Sequence, residues 1–285
     1  MGILYVVATP IGNLNDISLR AIDILKSVDI IACEDTRQSL KLLNHYEIKK
    51  KLTSYHKFNE SGKSNIIIDD LKNGKDVAII TDAGTPCISD PGYVLIREAH
   101  NNGITVIGIP GASAVITALS ISGLDTSEFS FIGFLPTDSS KFNSQIDKMI
   151  SSEIRTFVIY ESPKRIVKLI EKLKNIFVNS HIFIASDLTK IHERNFNGKI
   201  EEVYETIKND SNIEKGEYVV VLEKASIDKE KEDNTISYEA QIIDIMTKEQ
   251  CTIKDAIKII CDNNKKIKKN DLYEASLNLK KIMNQ

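Results

Sequence analysis

The chain is poor in the residues that build metal centres and disulfide frameworks. It has 285 residues, no tryptophan and four scattered cysteines, Cys33, Cys87, Cys251 and Cys261, which lack the spacing of metal ligands. No two of its five histidines are four residues apart, so no helix presents a histidine pair to a metal ion. We therefore expect no metal site, and we expect the reduced thiols that are typical of cytoplasmic proteins.

Long apolar runs and a strong net charge are absent as well. No stretch approaches the roughly 20 apolar residues that a membrane-spanning helix needs, and the first residues lack the basic region of a secretion signal. The 37 lysines and arginines nearly balance the 40 acidic residues, which gives a net charge of -3. The overall charge gives no support to a nucleic-acid partner. The expected location is the cytoplasm, without membrane contact.

Strand and helix patterns alternate along the first 225 residues, as is typical of α/β domains. A first domain, 1–123, is predicted to hold a mostly parallel sheet. Its strands are predicted at 3–8, 29–33, 77–80 and 104–108, and its helices near 18–27, 36–46, 62–73, 92–102 and 112–121. A second domain, 124–225, begins with an apolar segment at 129–136. Further strands are predicted at about 155–160, 181–186, 191–197 and 217–224, and helices near 139–151, 163–175 and 200–208. The short interval between 186 and 191 predicts a hairpin, so the second sheet should be mixed.

The C-terminal part has a different composition. Residues 226–236 are dense in charge and poor in large apolar residues, as linkers are. Residues 237–285 predict a small helical domain, which carries eight lysines against four acids from residue 254 onward. Two short helices around a lysine-rich turn resemble a helix-turn-helix that meets nucleic-acid phosphates. A dimerisation or packing appendage with a solvated lysine face is the alternative.

Glycine and proline occur together in three loops that follow predicted strands. The loop 82–92 holds two glycines, two prolines and two aspartates, and its Asp90 and Pro91 predict a helix start. Residues 8–14 leave another strand, and residues 110–114 open a helix after a third. Since such loops emerge at one edge of a parallel sheet, we expect them to form a composite pocket for a flat, partly charged small molecule.

Arginine is scarce, with six residues among the 37 basic ones. Three of the six, Arg37, Arg165 and Arg194, follow predicted strands and stand beside carboxylates. A planar guanidinium in a lysine-biased chain indicates contact with an anion or phosphate, here at the rim of the pocket. Ordinary surface ion pairs are the alternative.

A dinucleotide site is the first chemical class to consider. Glu34 ends the second predicted strand about 22 residues after Gly12, where a ribose-binding acid would stand. The loop at Gly12 nevertheless has a single glycine, preceded by proline, and neither G-x-G-x-x-G nor a Walker A sequence is present. The residues therefore disfavour NAD-dependent and P-loop enzymes.

Taken together, the motifs resemble those of the tetrapyrrole-methylase superfamily, whose members use S-adenosylmethionine. The resemblance runs almost end to end, and Cys87 departs from it where glycine is expected. It rests on VATPIGNL (7–14), CEDTR (33–37), DAGTPCISDPG (82–92), PGASA (110–114), FIGFLP (131–136), YESPKR (160–165) and LTKIHE (188–193). Within the superfamily the chain is similar to the members that methylate the 2′-hydroxyl of a cytidine in 16S ribosomal RNA of the small subunit.

This resemblance implies two α/β domains with the cofactor in the cleft between them, plus a small C-terminal helical domain. It also implies a homodimer that acts on small-subunit ribosomal RNA or on the 30S subunit. The resemblance also implies that Glu34 faces the substrate and does not bind a ribose of the cofactor. The implied cofactor contacts are Pro10, Ile11, Gly12, Asp82, Ala83, Gly84, Thr85, Ile88, Gly111, Ser113, Ala114, Tyr160, Glu161, Leu188 and Thr189.

Methyl transfer to a ribose hydroxyl needs in-line positioning, together with a group that accepts the proton or stabilises the developing alkoxide. The candidates, all of which stay open at this point, are Glu34, Asp35, Arg37, Glu161, Lys190, His192 and Glu193. The candidate RNA phosphate contacts are Arg37, Lys164, Arg165, Arg194, Lys265, Lys266, Lys268 and Lys269.

Two rival functions share these features. A small-molecule methylase of a corrin precursor would have the same fold and cofactor, but it would not need basic C-terminal helices. A non-enzymatic nucleotide-sensing or RNA-binding protein would keep the cleft as a ligand site only. The retention of both the loops and their acidic side chains argues against this second rival.

Overall fold

The computed structural model describes residues 1–225, 237–263 and 269–283. The chain divides into two compact units, Met1–Ala225 and Ser226–Gln285. The predicted linker at 226–236 lies outside the described residues, and so do Lys265, Lys266, Lys268 and the side chain of Lys269. The domain boundary at residue 123 falls inside the first unit and stays a prediction.

A parallel five-stranded sheet, in the order β3-β2-β4-β1-β5, organises the first half of the larger unit. Its strands are β1 (Ile3–Val7), β2 (Ile30–Cys33), β3 (Lys51–Ser54), β4 (Val77–Ile80) and β5 (Thr105–Ile109). The helices are α1 (Leu19–Ser27), α2 (Thr36–His45), α3 (Glu60–Lys72), α4 (Tyr93–Asn101) and α5 (Ala114–Ser122). Strand β3 was not among the predicted strands, because four residues at a sheet edge with one large apolar side chain, Leu52, show too little alternation.

The first sheet is covered by helices on both faces. In β2, Ile30 and Ala32 pack into an apolar core with side chains of α3 and α4. Ile31 and Cys33 point the other way and pack with side chains of α1 and α2. Since both faces are covered, the carboxyl edge of the strands is where the loops are free to form a site.

A mixed five-stranded sheet, in the order β6-β7-β10-β8-β9, organises the second half. Strands β6 and β7 are parallel, and the other pairs are antiparallel. The strands are β6 (Phe129–Phe134), β7 (Thr156–Glu161), β8 (His181–Ser186), β9 (Arg194–Lys199) and β10 (Tyr218–Glu223), and the helices are α6 (Ser139–Ser151), α7 (Ile166–Ile176) and α8 (Ile200–Lys208). The predicted hairpin is present, but β9 begins at Arg194 and not at 191. The connection needs more residues because Asp187 and Thr189 turn the chain with φ angles of 54° and 66°.

Helix α5 joins the first half to the second sheet. The Ser113 hydroxyl caps its first turn by accepting the N–H of Ile116. Val115, Ala118 and Leu119 of α5 are buried against the face of the second sheet that α6, α7 and α8 leave free. The sheet residues of this cluster are Val158, Phe183, Ala185, Val219 and Val221.

The smaller unit is helical, as predicted, and contains three described helices. They are α9 (Tyr238–Glu249), α10 (Ile253–Asn263) and α11 (Lys269–Met283). Ile242, Ala256, Ile257, Leu272 and Leu279 form their common core. No helix in the described part of the chain is both long and apolar enough to cross a membrane.

Helix α4 begins without a side-chain cap of its own. The predicted start at Asp90 and Pro91 is wrong, because Gly92 is the N-cap, with a φ of 137°, and the helix begins at Tyr93. Two distant side chains satisfy the first turn instead. Glu60 accepts the N–H of Gly92 at 3.0 Å, and the hydroxyl of the buried Tyr55 accepts the N–H of Leu95 at 3.2 Å. The Asp90 carboxyl is therefore not used as a cap.

We expect Tyr55→Phe to lower the free energy of unfolding by about 1–3 kcal/mol, because a buried N–H loses its acceptor. The hydroxyl of Ser64, which lies 3.1 Å from that of Tyr55, loses its partner as well. Urea denaturation measures the change. The matched control is Tyr93→Phe, which removes an exposed hydroxyl from α4 itself. Equal effects of the two substitutions would contradict the capping role of Tyr55.

Candidate functional site

Backbone contacts bring together the three glycine-proline loops at the carboxyl edge of the first sheet. Thr9 and Gly84 form a two-way bridge, in which the N–H of Thr9 donates to Gly84 at 2.9 Å and the N–H of Gly84 donates to Thr9 at 3.0 Å. The Thr85 hydroxyl donates to the carbonyl of Ala112 at 3.1 Å. Gly84 has a φ of 80°, and a Cβ there would lie 3.3 Å from Ile11. Glycine thus permits both the turn and the close approach.

A cavity of about 380 Å³ lies where these loops face the second sheet. Nine residues predicted as cofactor contacts line it: Ile11, Ala83, Gly84, Thr85, Ile88, Ser113, Ala114, Tyr160 and Glu161. Eight further lining residues were not predicted as site residues: Ser89, Asp90, Phe134, Ser162, Pro163, Glu217, Tyr218 and Val219. Phe134, Ser162 and Pro163 lie within the motifs named above. Glu217, Tyr218 and Val219 lie at the start of a predicted strand, β10, that belongs to none of these motifs.

The other six predicted cofactor contacts do not line this cavity. Leu188 is buried in the cluster that also holds Ile11 and Tyr160. Gly111 lies against Ala8, whose Cβ would be 2.9 Å from an added Cβ. Pro10 is buried and Asp82 is exposed, and the Asp82 carboxylate accepts the N–H of Asp35 at 3.2 Å.

Gly12 and Thr189, the remaining two, line a second and more open groove of about 640 Å³. Two of the catalytic candidates, Lys190 and His192, lie in this groove as well.

Three carboxylates line the 380 Å³ cavity, and two of them are held by other groups. Glu161 is 3% exposed. One of its oxygens accepts the N–H of Ser162 at 2.7 Å. The other lies 2.9 Å from Arg165 without the alignment of a hydrogen bond, so this contact is an ion pair only. Glu217 pairs with Lys190 at 3.1 Å. Asp90 has no hydrogen bond or ion pair within the described residues.

The acidic residues at this edge repel one another. Burial raises the pKa of Glu34, and the neighbouring Asp82 raises it further. Burial, followed by the charges of Glu34 and Asp82, raises the pKa of Asp90 to about 6. Across the cavity, burial and then the charge of Asp90 raise the pKa of Tyr160 to about 12. A carboxyl group with a pKa of about 6 therefore lines the cavity.

Four further catalytic candidates, Arg37, Asp35, Glu193 and Lys190, do not line this cavity and are bound to neighbouring residues. Arg37 pairs with Asp35 at 2.7 Å, and its side chain is 86% exposed. Hydrogen bonds from Arg37 lower the pKa of Asp35 to about 2. Glu193 accepts the N–H of Thr189 at 2.6 Å and so shapes the loop that precedes β9. Lys190 is shared between Glu217 and Asp187, with 2.8 Å to the latter.

The predicted phosphate contacts separate into paired and unpaired cations. Arg194 pairs with Asp210 and lies over the Phe196 ring. Arg165 donates to the carbonyl of Leu135 at 2.8 Å in addition to its pair with Glu161. Lys164 is exposed and has no such partner among the described residues. Within residues 1–225, 237–263 and 269–283, no group of three or more acidic, histidine or cysteine side chains is arranged to hold a metal ion.

Two residues of the loop 82–92 adopt a backbone conformation that favours glycine. Cys87 has a φ of 71° and Ser89 a φ of 70°, each of which costs about 1–2 kcal/mol. The Cys87 sulfur lies 2.7 Å from where a Cβ on Gly92 would be. Burial, Glu60 and Asp90 raise the pKa of this thiol to about 11, so it stays protonated at neutral pH.

We expect Gly12→Ala to destabilise the larger unit by about 1–3 kcal/mol, because the new methyl group overpacks a tight contact. A Cβ at Gly12 would lie 2.8 Å from both the carbonyl of Leu188 and the Thr189 hydroxyl. That hydroxyl accepts the N–H of Asn13 at 3.1 Å across the two halves. Thermal unfolding measures the effect against Gly108→Ala, where a Cβ meets nothing within 4 Å. An unchanged melting temperature for Gly12→Ala would show that the two halves can move apart at Gly12 without any loss of stability.

Comparison with known proteins confirms the family expected from the motifs. The family model described as Tetrapyrrole (Corrin/Porphyrin) Methylases matches residues 3–204. A Haemophilus influenzae protein named Ribosomal RNA small subunit methyltransferase I is 40% identical over 279 residues, which cover 97% of this chain and 96% of the relative. A protein of the same name from Hydrogenobaculum sp. is 48% identical over 222 residues, which cover 78% of this chain and 95% of the relative.

Solved structures share the fold at low sequence identity. The crystal structure of diphthine synthase matches with a TM-score of 0.59 and 14% identity, over 78% of this chain and 90% of that one. The uroporphyrin-III C-methyltransferase of Thermus thermophilus, solved in complex with S-adenyl homocysteine, matches with a TM-score of 0.53 and 16% identity, over 77% and 97% of the two chains. The family match and the curated relatives extend this likeness of fold to one of ancestry: the chain belongs to the tetrapyrrole (corrin/porphyrin) methylase family.

Proposed function

We propose that the chain transfers a methyl group from S-adenosylmethionine to the 2′-hydroxyl of a cytidine in 16S ribosomal RNA. The observation that carries the proposal is the loop-built cavity, in a chain whose curated relatives are named as methyltransferases of small-subunit ribosomal RNA. The proposal includes three further points. The methyl acceptor is naked RNA or the 30S subunit, the protein is a homodimer, and its location is the cytoplasm.

The walls of the cavity suit S-adenosylmethionine. Ile11, Ile88 and Val219 offer apolar surface to a flat ring, and Gly84 leaves its backbone open to close approach. The carboxylates provide negative charge for a ligand that carries an ammonium and a sulfonium group. The volume of about 380 Å³ lies in the usual range for small-molecule sites, about 300–1,000 Å³. When bound, the cofactor supplies a methyl group that is already activated for displacement by an oxygen nucleophile.

The chain's own contribution is positioning and the exclusion of water. The rings of Phe131 and Phe134 pack edge-on against Tyr160, with centroid distances of 4.9 and 5.7 Å, and Phe134 and Tyr160 form one wall of the cavity. The pair of Glu161 and Arg165 holds the end of β7 against the segment that follows β6. These contacts give the cavity a fixed shape before any ligand enters.

Asp90 is the residue that we assign as proton acceptor for the ribose hydroxyl. Of the three carboxylates that line the cavity, Glu161 and Glu217 are engaged by cations, and Asp90 is free of such partners within the described residues. A pKa of about 6 leaves Asp90 ionised at neutral pH and still basic enough to accept a proton. Of the candidates from the sequence, Glu34 supports this role through its charge. None of the others, Asp35, Arg37, Lys190, His192 and Glu193, lines the cavity, although Lys190 pairs with Glu217 of its wall.

We expect Asp90→Asn to lower kcat by about 10²- to 10⁴-fold, the usual contribution of a general base. The rate of the unaltered enzyme should fall as the pH drops below about 6, because Asp90 becomes protonated there. In Asp90→Asn this acid limb should be lost. Asp23→Asn, on the exposed side of α1, is the control. Calorimetry with S-adenosylmethionine tests whether the cavity is intact in each variant. A normal rate and an unchanged acid limb in Asp90→Asn would overturn the assignment.

Methyl incorporation tests the function itself. Labelled S-adenosylmethionine is incubated with the protein and small ribosomal subunits that lack the ribose mark, and the product is mapped by alkali resistance of the RNA. We expect one alkali-resistant cytidine linkage. Transfer to a corrin precursor would favour the rival small-molecule methylase. Binding of the cofactor without transfer to either acceptor would favour a non-enzymatic role.

A further inference from the structure

A third concave surface adjoins the cavity on the side of helix α7. This α7 groove, of about 240 Å³, is lined by Pro136, Thr137, Phe142, Glu161, Arg165, Lys168, Leu169 and Lys172. Glu161 lines both the groove and the cavity. A molecule that lies in the groove therefore passes directly beside the place where the methyl donor would be held.

Cations dominate the groove. Arg165, Lys168 and Lys172 recur at helical spacing along one side of α7, so their side chains share a face about 10 Å long. The one acidic residue that lines the groove, Glu161, is already engaged by Arg165. Lys168 is exposed and has no hydrogen bond or ion pair within the described residues. Lys172 lies over the Phe142 ring at 4.6 Å, and this contact leaves its charge uncompensated.

Packing of the helix does not account for this arrangement. The buried face of α7 consists of Ile166, Leu169, Ile170 and Leu173. Another lysine of the same helix, Lys174, lies over the Tyr204 ring at 4.1 Å together with Lys208 of α8 at 5.6 Å. Like charges at i,i+4 on one helix face, such as Lys168 and Lys172, repel each other, so an anionic ligand in the groove stabilises this arrangement.

We propose that the α7 groove binds backbone phosphates of the RNA strand next to the nucleotide whose ribose enters the cavity. This inference rests on the proposed function and adds the surface by which the substrate is held. Lysine ammonium groups bind phosphate as point charges without reading the base. The groove thus fixes the position of the strand, and the choice of nucleotide is made elsewhere.

The test compares two double variants that each remove two positive charges, one variant within the α7 groove and the other outside it. Lys168→Gln with Lys172→Gln empties the groove of its two lysines. Lys174→Gln with Lys208→Gln, around Tyr204, is the control. Equilibrium binding to small-subunit RNA is measured over a series of salt concentrations. Cofactor binding is followed by calorimetry in both variants, which is independent of methyl transfer.

We expect the groove variant to bind RNA about ten-fold more weakly, with a salt dependence whose slope is smaller by about one to two, because up to two phosphate contacts are lost. Cofactor binding should be unchanged in both variants. Groove and control variants with the same RNA affinity and the same slope would overturn the inference. Absence of cofactor binding in the unaltered protein would instead overturn the proposed function, which keeps the two failures distinct.

Discussion

The burial of helix α5 against the second sheet is the packing interaction on which the candidate site depends. The helix begins at Ala114, the last residue of the loop 110–114, so the packing of Val115, Ala118 and Leu119 against β8 and β10 sets the position of that loop. Hydrogen bonds among Thr9, Gly84, Thr85 and Ala112 then fix the other two loops relative to the loop 110–114. Truncation of side chains in such an interface costs about 2–5 kcal/mol each, far more than any one loop contact. The shape of the cavity therefore depends on apolar packing at some distance from its polar walls.

Charge is arranged in opposite senses on the two sides of the ion pair between Glu161 and Arg165. Acidic groups stand on the cavity side, where burial raises the pKa of Glu34, Asp82 and Asp90, and the charges of Glu34 and Asp82 raise that of Asp90 further. Lys168 and Lys172 stand on the groove side. A cationic methyl donor would thus be attracted to the cavity and an anionic RNA strand to the adjacent α7 groove. Each would be repelled by the charge of the other site. A chain with a net charge of -3 achieves this by local separation of charge, which its overall composition does not reveal.

Local patterns predicted most of the elements and three walls of the cavity. The buried strands, the hairpin and the three glycine-proline loops all have signals within a few residues, and the structure confirms them. Strand β3 was not predicted, because its pairing with β2, and not its own sequence, makes it a strand. Asp90 was interpreted as a helix cap because its neighbour is proline. Glu60, which accepts the N–H of Gly92 instead, lies 32 residues before that glycine in sequence. Glu217, Tyr218 and Val219 reach the cavity through antiparallel pairing of β10 with β7 and β8, which no local motif encodes.

The left-handed backbone at Cys87 has a consequence for how this loop changes in evolution. Most substitutions at position 87 retain the unfavourable φ angle, and glycine alone relieves it. The sulfur of Cys87 also occupies the space that a side chain at position 92 would need. Position 92 is therefore confined to glycine on two grounds: its own φ of 137°, and a lack of space that persists for as long as position 87 carries a side chain of this size.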